Sequence, residues 1–163
     1  MIADVLHFSF TVSSIERSVH WYTAILGLEL VHRQRQDNEY TRTLVGFSDA
    51  VLEVAQFRIP GVASPHSTHM LELVEYLKPA GEVIDLPTKT VGVAHLALMV
   101  DDIEPRYQRM LKEGVRFRNP PVLITEGANA GGYACYLHDP DGITLELLQP
   151  SSARMRDLGF AGH

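Results

Sequence analysis

The chain carries one short pattern twice, and this duplication limits the available folds more than any other feature. Residues 5–12 read Val-Leu-His-Phe-Ser-Phe-Thr-Val, and residues 93–100 read Val-Ala-His-Leu-Ala-Leu-Met-Val. Both alternate as half-buried strands do, with Leu6, Phe8, Phe10 and Val12 on one face and Ala94, Leu96, Leu98 and Val100 on its equivalent. Ser13 or Ser14 and Asp101 or Asp102 then stand as helix N-caps. The helices, over 15–26 and 103–113, stop at Gly27 and Gly114. Each glycine is followed by a new strand, Leu-Glu-Leu-Val in the first copy and Val-Arg-Phe-Arg in the second. Further strands are expected at Tyr40–Phe47 and Val51–Arg58, and at Val122–Thr125 and Gly132–His138. The copies close alike, on Met70-Leu-Glu-Leu-Val74 and Thr144-Leu-Glu-Leu-Leu148. Each half therefore reads β-α-β-β-β.

The intervals support the same division. From His7 to Glu72 is 65 residues and from His95 to Glu146 is 51. The surplus is assigned to a Pro-, Gly- and Ser-containing loop over 59–69. Asp139-Pro-Asp-Gly142 is a turn feeding the last strand. The expected organisation is a single domain over 1–163: module one 1–78, a linker 79–91, module two 92–150, and a C-terminal tail or helix over 151–163.

Composition narrows the partners. The 163 residues suit one domain with a full core. A net charge of −6 without a basic run argues against nucleic acid. No apolar stretch is long enough to span a membrane, and the first residues do not read as a secretory signal. The single cysteine, Cys135, rules out an internal disulfide and a cysteine-based zinc framework. A reducing, cytoplasmic setting is the expectation.

Four residues ask for a common explanation. A histidine on a strand is ordinarily a packed or surface residue, and a glutamate between leucines ordinarily faces water. Glu72, however, shares its strand face with Met70 and Val74, and Glu146 shares its own with Thr144 and Leu148. A carboxylate on a largely apolar face is costly to bury unless it is paired, hydrogen-bonded or metal-bound. Glu75, on the opposite face of its strand, is the one expected to lie in solvent. If the modules curl against each other, His7 and Glu72 meet His95 and Glu146. Two imidazoles and two carboxylates suit one divalent ion: Zn, Ni, Co, Mn or Fe(II). An octahedral ion would keep two positions for water or substrate oxygens.

Over about residues 4–150 the chain resembles the vicinal oxygen chelate superfamily, which includes glyoxalase I, methylmalonyl-CoA epimerase, extradiol dioxygenases and bleomycin-resistance proteins. His7 in Leu-His-Phe-Ser-Phe-Thr-Val and His95 in Ala-His-Leu-Ala-Leu-Met-Val match the family's first-strand histidines. Glu72 matches the last-strand ligand of one module. Glu146, in Asp-Pro-Asp-Gly-Ile-Thr-Leu-Glu-Leu-Leu-Gln-Pro, matches that of the other. The resemblance implies an α+β fold: two tandem βαβββ modules forming a curved mixed β-sheet cleft with helices outside.

It also implies a metal-dependent lyase or isomerase, lactoylglutathione lyase-like or epimerase-like. Such an enzyme moves a proton next to a carbonyl through a metal-stabilised enediolate or enolate. Glu146 is the first candidate for the catalytic carboxylate and Glu72 its pseudo-symmetric mate. Two other readings are an Fe(II)-dependent ring-cleaving dioxygenase and a small-molecule (antibiotic) sequestering protein. The second carboxylate disfavours the dioxygenase, whose two-His, one-carboxylate triad leaves more positions open. Retention of all four ligands disfavours pure sequestration. Epimerase-like members use a further, non-ligand glutamate, for which Glu39 and Glu53 are the counterparts considered. Arg42 and Tyr40 on an expected second strand, Tyr133, and His138 are candidates to line the cleft, and Asn129-Ala-Gly-Gly132 a mobile loop beside it. Trp21 and Tyr22 are assigned to the core, and His20, His32, His66 and His163 to structural or exposed positions. His69 is left open. A homodimer acting on a small molecule completes the expectation.

Overall fold

Strands β1 (His7–Thr11) and β4 (Met70–Lys78) run side by side in parallel, with Ser9 opposite Glu72. This computed structural model describes residues 5–61, 70–85 and 87–158. The chain divides into two compact units between Ile84 and Asp85.

In the first unit, β2 (Glu29–Gln36) and β3 (Val51–Arg58) complete a four-stranded sheet of order β1-β4-β3-β2. One face buries Leu71, Leu73, Ala55 and Phe57. Helix α1 (Ile15–Ala24) buries Ile15, Ser18 and Tyr22, and Tyr22 stands 6.0 Å from the Phe57 ring. Tyr22, Phe57 and Leu73 are fully buried, each contributing about 1.5–3 kcal/mol of transfer free energy. Ser14 caps the helix, accepting the Arg17 N–H at 3.4 Å, and Gly27 ends it at φ +73°.

The strand expected over Tyr40–Phe47 is instead a helix, α2 (Glu39–Val45). Its ends decide the matter. Asn38 Oδ1 accepts the Thr41 N–H at 2.9 Å, and Gly46, at φ +79°, donates its N–H to the Arg42 carbonyl. Thr41 is buried and its hydroxyl donates to Gln36 Oε1 at 3.3 Å.

The second unit repeats the plan. Strand β5 (Leu96–Met99) lies parallel to β9 (Thr144–Gln149), with Ala97 opposite Glu146. The order continues through β8 (Tyr133–His138) to β6 (Arg116–Phe117), and β7 (Val122–Leu123) also pairs with β8. The expected strand 93–100 is shorter than its pattern, so His95 stands one residue ahead of β5. Leu137, Leu145, Leu147 and Cys135 are buried, as are Ile103 and Met110 of α3 (Ile103–Lys112). The Asp139–Gly142 turn forms as expected: Asp139 Oδ1 accepts the N–H groups of Asp141 at 2.9 Å and Ile143 at 2.8 Å.

The segment expected to be a mobile loop is tied down. Gly131 donates to the Ile124 carbonyl at 2.8 Å and Gly132 to the Asn129 carbonyl at 3.0 Å. A Cβ on Gly132 would lie 2.2 Å from the Gln149 carbonyl oxygen, so this position admits no side chain.

The tail contains a short helix, α4 (Ser152–Asp157), whose Ser151 cap accepts the Arg154 N–H at 3.2 Å. No helix among the described residues is long and apolar enough to cross a membrane. Most of the loop expected over 59–69, with His66 and His69, lies outside the described residues, as does His163.

Candidate functional site

Strand parity places Glu72 between Leu71 and Leu73 but pointing the other way, onto the sheet face not covered by α1. Ser9, Glu72, Gln56 and His32 stand in register across the four strands of that face. The two carboxylate oxygens of Glu72 have different neighbours. Oε2 accepts the Gln56 side-chain N–H at 2.8 Å, and Oε1 lies 3.6 Å from His7 Nε2. The Glu72 side chain is 17% exposed, against 35% for His7.

The second unit reproduces the pair with different support. His95 Nε2 lies 3.2 Å from Glu146 Oε2, and the Glu146 side chain is 15% exposed. The residue opposite Glu146 on β8 is Tyr136, not an amide, and its ring lies 5.3 Å from that of His95. On the core side of β8, burial, together with the charges of Glu146 and Glu104, pushes the Cys135 thiol up to about 11. That thiol is a packing group and not a nucleophile.

The structure thus brings the four residues together as two pairs, one in each unit. Among the described residues no group of three or more His, Cys, Asp or Glu side chains is close enough to hold an ion. Each pair nevertheless suits a metal. Donors about 2.1 Å from a shared ion lie about 3.0 Å apart at a right angle and about 3.4 Å apart at the tetrahedral angle. The observed 3.2 and 3.6 Å are close to these values and require only small side-chain shifts. An imidazole nitrogen beside a carboxylate oxygen is a donor set for borderline and hard divalent ions.

The secondary candidates are dispersed. Arg42 lies on α2, not on a strand, and pairs with Asp37. Tyr40 is on the same helix, and it lines an open recess of about 450 Å3 with Glu39, Thr43 and Leu44. Tyr133 begins β8 with the parity of Cys135 and Leu137, on the face opposite Glu146. His138 shares the Glu146 face, and its Nδ1 lies 3.3 Å from the Gly142 carbonyl oxygen. Glu53 is on the face of the first sheet opposite Glu72, within 3.9 Å of Arg33 and 3.7 Å of Arg35.

Glu75 is not the solvent-facing residue expected: it is part-buried, and Oε2 accepts the Ile15 N–H at the start of α1. Sequence reasoning also passed over Gln56 and Tyr136. Only the antiparallel register, 56 opposite 72 and 136 opposite 146, reveals them.

A family model described as the Glyoxalase/Bleomycin resistance protein/Dioxygenase superfamily matches residues 4–147. A 2-epi-5-epi-valiolone epimerase from Actinomyces sp. is 32% identical over 149 residues, covering 88% of this chain and 78% of the relative. A probable lactoylglutathione lyase from Vibrio parahaemolyticus is 26% identical over 156 residues, covering 91% and 92%. Among solved structures, a glyoxalase family protein from Bacillus cereus shares the fold at a TM-score of 0.77 and 22% identity, covering 93% of this chain and 97% of that one.

Proposed function

Because this chain belongs to the Glyoxalase/Bleomycin resistance protein/Dioxygenase superfamily, we propose that it is a metal-dependent isomerase or lyase that moves a proton next to a carbonyl. The observation that carries the reading is the repeated pair. In each unit a half-buried glutamate on the last strand faces an imidazole at the first, at 3.6 and 3.2 Å. Relatives named as an epimerase and a lactoylglutathione lyase support an enzyme of this class.

His7 and Glu72 in one unit, and His95 and Glu146 in the other, are the residues proposed as ligands for a divalent ion. When bound, such an ion supplies Lewis acidity, which makes the C–H beside a polarised carbonyl more acidic. Glu146 serves as the base that takes this proton and returns it. Its backbone is fixed by the buried Leu145 and Leu147 on either side, and its carboxylate projects onto the opposite face beside His95 and Tyr136. Glu39 and Glu53 are set aside for this role. The first sits on α2 and the second lies on the wrong face of its sheet. His138, which shares the Glu146 face, is kept as the proposed substrate-binding residue among the secondary candidates. We further propose a homodimer, which a solution mass measurement tests.

The experiment combines metal analysis with solvent-deuterium incorporation into small carbonyl substrates and thioesters. Purified protein is expected to carry a stoichiometric divalent ion and to catalyse exchange. Glu146→Gln should lower the exchange rate by about 10²–10⁴-fold. Protein that binds no divalent ion, or oxygen uptake on catechols in place of exchange, would sink the reading.

A further inference from the structure

Resting on the reading of Glu72 as a metal ligand, we propose that Gln56 is a positioning residue for its carboxylate. Gln56 lies directly opposite Glu72 on the antiparallel neighbour strand, and its side-chain N–H donates to Oε2 at 2.8 Å. An ionised carboxylate only accepts, so the amide must present its NH₂ group to it. The terminal torsion of a glutamate is otherwise broad, with little intrinsic preference for one carboxylate orientation. The donated bond removes that freedom. It occupies one oxygen and leaves the other, Oε1, on the side of His7 Nε2. An amide does this without bringing a charge of its own to the site.

The second unit sharpens the assignment. At the equivalent register position stands Tyr136, whose ring lies against His95. No side chain among the described residues donates a hydrogen bond to Glu146 in the way Gln56 does to Glu72. Two carboxylates equivalent by repeat are therefore held differently. Glu72 is oriented by an amide on one oxygen, whereas Glu146 faces its histidine at 3.2 Å without such an amide. Gln56 thus distinguishes the two repeat-related carboxylates, and its role is exerted through Glu72.

The test is titration of the metal-free full-length chain with cobalt(II), followed by calorimetry and by visible absorption. The wild type should bind the ion, and His7→Ala should weaken that binding severely. Gln56→Leu removes the donor at similar volume. It should weaken cobalt(II) binding about tenfold or more and shift the absorption band. Gln56→Asn, which keeps an amide N–H donor on a shorter stem and adds no imidazole ligand, should bind more tightly than the leucine variant and guards against a folding defect in it. Circular dichroism confirms folding of each variant. Wild-type affinity and spectrum in Gln56→Leu, or asparagine binding no better than leucine, overturns the positioning role while cobalt(II) binding by the wild type leaves the metal reading standing. Failure of the wild type to bind cobalt(II) overturns the metal reading and the role of Gln56 with it.

Discussion

The Glu75 side chain accepts the first backbone N–H of α1, from Ile15, at 2.7 Å. The second unit makes the same bond with a different group: Gln149 Oε1 accepts the first N–H of α3, from Ile103, at 2.9 Å. Each acceptor lies three residues after the Leu-Glu-Leu glutamate, so last strand and first helix are joined alike in both copies. The first N–H groups of a helix have no intrahelical partner, and an acceptor there also meets the positive end of the helix dipole. In the second unit this bond stands in for a cap, because Asp102 makes none with its side chain.

Glu75→Ala and Gln149→Ala should each therefore destabilise the protein by about 1–2 kcal/mol. Glu75→Gln should recover most of the loss, since an amide does this work in the other unit. Urea denaturation of the three variants checks the prediction. Wild-type stability in both alanine variants would show that these bonds contribute nothing measurable.

Cys135 gives a pH dependence. Its thiol is raised to about 11, first by burial and then by the charge of Glu146. The folded protein therefore holds this proton more tightly than the unfolded chain does. The stability it contributes is complete below the ordinary thiol range, near pH 8.5–9. It is lost as pH rises through about 11. The decline in stability over that interval should be shallower in Cys135→Ala than in the wild type. At pH 8 about one thiol in a thousand would be ionised, so the folded protein should resist alkylation until denaturant is added.

Gly132 should tolerate no side chain. A Cβ there would meet the Gln149 carbonyl at 2.2 Å, where backbone leaves no room to yield. Gly132→Ala should cost about 2 kcal/mol or more. Gly127→Ala is the comparison: its φ of +79° is unfavourable to alanine, but nothing lies within 4 Å of the added carbon. Thermal melts of the two variants should rank Gly132→Ala well below Gly127→Ala.

What the linear sequence displays follows from what is local. The duplication, the helices and their stopping glycines are readable because strand alternation and helix punctuation act within a few residues. The α2 segment misleads because Tyr40, Thr41, Thr43 and Val45 favour a strand, whereas Asn38 and Gly46 at its ends impose the helix. For Glu75 the parity is right and the environment is not: the opposite face of β4 is roofed by α1. Gln56 escapes because pairing across a hairpin joins residues whose spacing depends on the intervening loop. The two His–Glu pairs are suggested by the repeat, but Gln56 and Tyr136 beside them emerge only from register.

The parallel pairing of first with last strand has a consequence for synthesis. Ser9 finds its partner, Glu72, only near the end of its unit, and Ala97 must likewise wait for Glu146. A chain emerging from the ribosome therefore exposes His7, and later His95, well before the carboxylate that will face it exists. Neither pair can assemble until the closing strand of its sheet has been made. Contacts so distant in sequence form late because the entropy of closing a long loop must be met first. A nascent or truncated chain would thus lack the carboxylate half of each His–Glu pair until the corresponding sheet has closed.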